Sequence, residues 1–105
     1  MNLERFLRYL RECKFTRIWK GRELEDFYEF VRTQAIPNGG FLLSLPILEK
    51  GGIVWVFYPI KDMQIGNARL NLSFEGPEVY VPEDEASREV PKERKGYPVW
   101  RYQND

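Results

Sequence analysis

Eight consecutive residues, Ile53-Val54-Trp55-Val56-Phe57-Tyr58-Pro59-Ile60, carry no charge and are apolar or aromatic throughout. A strand turns successive side chains to opposite faces, so a run of this kind has two faces to hide from water. It reads as a central strand in a layered fold, covered by helices on one side and by something else on the other. That second cover carries the functional question, because an unshielded apolar face recruits a second molecule.

The helical layer is legible at the start of the chain. Leu3, Phe6, Leu7, Leu10 and Cys13 recur at spacings of three and four, the stripe of an amphipathic helix. Glu4, Arg8 and Glu12 form an alternating ladder on the opposite face. Continuing past Lys14 would swing Phe15 and Trp19 onto that charged face, so the helix is expected to stop there and Lys14–Trp19 to be a short strand or extended connector. A second helix is marked by Leu24, Phe27, Tyr28 and Val31. Glu23, Glu25 and Asp26 sit in its first turns, where they suit the helix dipole, and Pro37-Asn38-Gly39-Gly40 ends it.

From there the period changes to two. Residues 41–49 and 53–60 flank Lys50-Gly51-Gly52 and read as an antiparallel hairpin, with Pro46 placing the first strand at an edge or bulge. Residues 67–75 alternate, Leu70, Leu72 and Phe74 against Arg69, Asn71 and Ser73, as a half-buried strand does. After the turn at Glu75-Gly76-Pro77-Glu78 comes a short strand at 79–81. Pro82 with Glu83, Asp84 and Glu85 resembles a helix start that Pro91 stops after one or two turns. Residues 91–96 read as a charged linker and 97–102 as an aromatic C-terminal arm.

The chain's 105 residues suit one domain. Sixteen basic and sixteen acidic side chains cancel, so no global field draws it to polyanions or membranes. One cysteine and no histidine exclude an internal disulfide, a zinc finger and histidine-based catalysis. No apolar stretch reaches the roughly 20 residues that a membrane helix needs, and the N-terminal segment is too charged for a secretory signal. A soluble, cytoplasmic protein is expected. The 30% charged content, few amides and absent histidine suit a hot environment; small stand-alone proteins of this kind also occur in microbial accessory and viral genomes.

Charge is distributed unevenly: residues 1–22 carry +5 and the remainder −5. Within the basic part, Lys14, Arg17, Lys20 and Arg22 interleave with Phe15 and Trp19, a mixture that can track a phosphate backbone while bases stack on rings. Residues 94–102 repeat the mixture. The competing explanations are a solvated charged face and aromatic residues in the core. For a metal-dependent nuclease, Asp84 with Glu93-Arg94-Lys95 matches only in wording, since these residues fall in a proline-bounded charged stretch and not on strands. Cys13 has no activating histidine and sits on an apolar stripe, as an inert buried thiol would.

The expected architecture is thus α+β: two N-terminal helices packed on an antiparallel sheet of about four strands, as one domain over residues 1–90, with linker and arm at 91–105. Leu7, Leu10, Phe27, Val31, Ile53, Trp55, Leu70 and Leu72 are expected in the core. No reaction and no cofactor are implied. The expected role is a non-catalytic binding or assembly protein, a homodimer joined through Trp55, Phe57, Tyr97, Trp100 and Tyr102. The alternative is sequence-independent nucleic-acid binding through Lys14, Arg17, Trp19, Lys20 and Arg22, with the nuclease as a remote third.

Overall fold

The computed structural model describes residues 3–12, 15–66, 69–74 and 76–102. Two α-helices, α1 (Leu3–Arg11) and α2 (Gly21–Phe30), precede strands β1 (Gly40–Leu45), β2 (Val54–Gly66), β3 (Arg69–Phe74) and β4 (Glu78–Tyr80); β5 (Val99–Arg101) follows after a long connection. The class is α+β. The sheet is mixed rather than antiparallel, and it has five strands. β1 pairs antiparallel with β2 but parallel with β5, and β2 pairs antiparallel with β3 and β4. Helical structure is not confined to the N-terminal part either, since a 3-10 turn forms at Lys92–Arg94.

In α1 the apolar stripe buries Phe6 and Leu10 and half-buries Leu7, while Arg5, Arg8 and Arg11 stay exposed. Cys13 and Lys14 lie outside the described residues. The connector that follows is a helical turn, contrary to the extended reading: Phe15–Arg17 is a 3-10 helix, and the N–H groups of Ile18 and Trp19 donate to the Phe15 carbonyl at 3.0 and 2.9 Å. Packing explains the difference. An extended chain would separate Phe15 from Trp19 by roughly 13 Å, whereas the turn brings both rings onto Phe27, at centroid distances of 4.8 and 4.5 Å. After α2 the chain continues through a wide turn at Val31–Ala35 and a 3-10 turn at Ile36–Asn38, until Gly39, in the left-handed region at φ 78°, ends the helical run.

β1 and β2 form the centre of the sheet. Pro46 stands exposed just beyond β1, which explains why that strand is shorter than its apolar sequence suggests. Phe41, Leu43 and Leu45 with Val54, Val56 and Tyr58 face the helices. The buried Tyr58 hydroxyl donates to the Leu10 carbonyl at 2.8 Å, tying β2 to the last turn of α1. Leu42, Ile53, Trp55 and Phe57 form a second cluster on the other face.

That second face is covered by the chain itself. Because β4 borders β2 and β5 borders β1, the intervening residues 81–98 cross the sheet as a strap. Tyr80, Val90, Tyr97 and Val99 pack on the second cluster, Tyr97 at 4.7 Å from the Phe57 ring. The helix expected to start at Pro82 does not form. The Ser87 N–H bonds the Asp84 carbonyl at 2.8 Å and the Ala86 N–H bonds the Asp84 carboxylate at 3.0 Å, making a turn. In a continuing helix the Ser87 carbonyl would look to residue 91, a proline with no N–H to give. It accepts from Ile53 N–H instead, at 3.0 Å, and so ties the strap to the start of β2.

β5 contributes to both cores. Val99 joins the strap side, while the Trp100 ring lies 5.6 Å from Phe27 and 5.1 Å from Phe30, and Tyr102 lies 5.1 Å from Phe6. The boundary expected between residues 90 and 91 therefore separates no independent packing units. Of the expected core, Leu10, Phe27, Val31, Ile53 and Trp55 are buried and Leu7 half-buried; the side chains of Leu70 and Leu72 lie outside the described set.

Candidate functional site

The five residues expected to join two copies are occupied within one. Trp55 is 7% and Phe57 3% exposed beneath the strap, and Tyr97, Trp100 and Tyr102 are half-buried against their own chain. Trp55 and Phe57 thus have little area left to bury against a partner, while Tyr97, Trp100 and Tyr102 keep part of theirs exposed.

The basic-aromatic segments do meet, with Trp19 and Trp100 in edge contact at 6.4 Å. They meet inside the helix-facing core. Trp19 is 1% exposed, so its ring is closed to a stacking base and packs ring against ring, the core alternative weighed for it from the sequence. Arg17, Lys20 and Arg22 remain exposed, as do Arg8 and Arg11; none has a carboxylate partner among the described residues. Lys14 is not described. For the nuclease wording, the Asp84 carboxylate is engaged in its own turn and Glu93 is exposed on a 3-10 turn, neither on a strand. Among the described residues no three acidic, cysteine or histidine side chains group as metal ligands.

A polar cluster clamps the strap. The Arg94 guanidinium lies 4.0 Å above the Phe57 ring, donates to the Glu78 carboxylate at 2.7 Å and lies 3.3 Å from the Tyr80 hydroxyl. Tyr80 in turn donates to Glu78 at 2.6 Å. The Tyr80 hydrogen bond and then Arg94 hold the Glu78 carboxyl below its ordinary pKa, and burial followed by Glu78 pushes the Tyr80 phenol up. A cation over an aromatic face, hydrogen-bonded on its flank, clamps the strap to β2 and β4.

The surface that the sequence reading missed is the far part of β2. Its pairing with β1 ends at Gly40 opposite Pro59, and its pairing with β4 covers only Trp55 to Phe57. Beyond Ile60, whose N–H is taken by the Gly39 carbonyl at 3.1 Å, β2 runs on to Gly66 with β3 as its one strand neighbour among the described residues. A register shift between Ile60 and Asp62 marks a bulge. Its effect on the pattern is specific: Ile60 pairs with Phe74, Met63 with Leu72 and Ile65 with Leu70, while Asp62 pairs with Ser73 and Gln64 with Asn71. Apolar positions fall opposite apolar ones and polar opposite polar. The alternation in 69–74 signals half of this ribbon; the strand beside it is hidden because Lys61-Asp62 ends the uncharged apolar run that begins at Ile53.

Fold and surface together define a class: a small α+β domain with a five-stranded mixed sheet, from which a two-stranded ribbon overhangs. No protein family, curated protein or solved structure matches the chain. No helix among the described residues is long and apolar enough to cross a membrane.

Proposed function

We propose that the chain is a small non-catalytic assembly protein that associates with its own kind through the β2–β3 ribbon. The overhang carries this reading. An isolated two-stranded ribbon is marginal in water and needs a third strand or a packed face to persist. Here the register gathers apolar positions onto one face of such a ribbon, from Ile60, which still packs on the helix-facing core, opposite Phe74, to Met63, Leu72, Ile65 and Leu70 beyond the part of the sheet that β1 reinforces. Association supplies the missing support. Light scattering at micromolar concentration should report twice 12.6 kDa, and Ile65→Lys with Leu70→Lys should return the monomer mass while leaving the thermal transition of the sheet core in place. An unmodified chain that stays at the monomer mass as concentration rises refutes the proposal.

A second reading is favoured by the exposed cations Arg8, Arg11, Arg17, Lys20 and Arg22, which have no carboxylate partner among the described residues: sequence-independent binding of a phosphate backbone, without ring stacking. Affinity for a labelled single strand would then fall steeply between about 50 and 200 mM salt. Indole fluorescence of the buried Trp19 should stay unchanged on binding. No binding at low salt removes this reading.

A further inference from the structure

We infer that the partner of the ribbon is the same strand of a second copy: β2 pairs edge to edge and antiparallel with its twin, about a two-fold axis at Met63. The inference rests on the assembly reading above and adds its geometry.

Backbone accounting gives the reason. A strand edge presents a row of N–H and C=O groups that template further pairing, and proteins blunt such edges with prolines, charges or bulges or by keeping them short. This molecule does so twice. β4 has three residues set between Pro77 and Pro82, and β5 has three residues directly after Pro98. On the side where β1 has ended, β2 instead runs from Lys61 to Gly66 with no proline and no described strand beside it, its bulge and its two charges confined to the start of the overhang at Ile60–Asp62. At about 3.3 Å per residue that edge is roughly 20 Å long, which is the length of an ordinary strand partner.

The edge is also self-complementary. Lys61 and Asp62 are its only charged residues, and they are opposite in sign. With the axis at Met63, Lys61 falls opposite Ile65 of the second copy and Asp62 opposite Gln64, so like charges never face each other, an arrangement that would be destabilising. Each copy offers the same surface and receives it, as a closed two-fold contact requires. The product is a four-stranded sheet in the order β3, β2, β2, β3, in which the overhang of β2 is paired on both sides.

Single cysteines test the geometry in a Cys13→Ser background. Residues facing each other across an antiparallel pair stand about 5 Å apart at Cα, within reach of a disulfide, whereas the two β3 strands would be three strand spacings apart, about 14 Å. Met63→Cys should therefore give a covalent dimer on mild oxidation, and Asn71→Cys should not. In the unmodified chain, amide exchange at residues 61–66 should slow as concentration rises, with no matching change on the outer edge of β3. A dimer by light scattering that crosslinks through Asn71→Cys, or whose exchange at 61–66 does not respond to concentration, overturns the edge pairing and leaves the assembly reading standing. A monomer by light scattering overturns both.

Discussion

Gly52→Ala tests whether the strap is a fixed part of the fold. Gly52 is buried where the strap passes the start of β2, and its backbone needs no positive φ. What excludes a side chain is space. A Cβ there would stand 2.8 Å from the Glu85 carbonyl carbon, 3.0 Å from the Ser87 carbonyl oxygen, and closer still to the Glu85 oxygen. Both neighbours are backbone, so relief requires the strap to move by roughly 1.5 Å to recover ordinary contact near 3.5 Å. It cannot move freely, since the Ser87 carbonyl accepts from Ile53 N–H at 3.0 Å and Arg88 donates to the Gly51 carbonyl at 2.9 Å. Overpacking costs about 1 to 3 kcal/mol, and one or two strained hydrogen bonds add about 1 kcal/mol each, for a loss of about 3 kcal/mol. For a domain this size, that lowers the melting temperature by about 12 to 24 °C. The neighbouring Gly51 is the control: at φ 84°, with nothing within 4 Å of a Cβ, alanine there meets only backbone strain of about 1 to 2 kcal/mol. Urea denaturation followed by tryptophan fluorescence measures both. If Gly52→Ala proves no worse than Gly51→Ala, the strap does not press on the hairpin and the account of the second cover is wrong.

Two further outcomes follow from the same packing. Trp100→Ala removes a ring in contact with Trp19, Phe27 and Phe30, and should cost about 3 kcal/mol in chemical denaturation. A loss comparable to that of the exposed neighbour Arg101→Ala, within about 0.5 kcal/mol, would show that the C-terminal arm is not part of the core. The Glu78 clamp gives a pH signature: its carboxyl is held below the ordinary value of 4.5, so its contribution is present above that pH and lost as pH falls through the lowered folded value. Wild type should therefore lose a small increment of stability below about pH 4.5 that Glu78→Gln lacks, and parallel acid curves for the two would exclude the clamp.

The periodicities read from the chain correspond to real elements where the partner of each residue is near in sequence. Leu7 and Leu10 on α1, Phe27 and Val31 around α2, and the antiparallel pairing of β1 with β2 all follow from local spacing. The errors share a cause. Phe15 and Trp19 adopt a helical turn because Phe27 waits for both rings, and Pro82–Ser87 forgoes a helix because Ser87 finds its donor in Ile53, 34 positions away. β5 is three residues long and parallel to β1, a pairing that no turn announces. The expected contact residues Trp55 and Phe57 were rightly identified as needing cover; which molecule supplies it was not legible.

The sequence alone determined that a two-faced apolar strand would sit between layers, because side chains alternate along a strand whatever surrounds it. Only the tertiary structure decided that residues 81–98 would cross to the second face and close it, since that depends on where the ends of β4 and β5 lie in space. It also decided that the far edge of β2 has no β1 beside it, because β1 begins at Gly40, opposite Pro59, while β2 continues to Gly66.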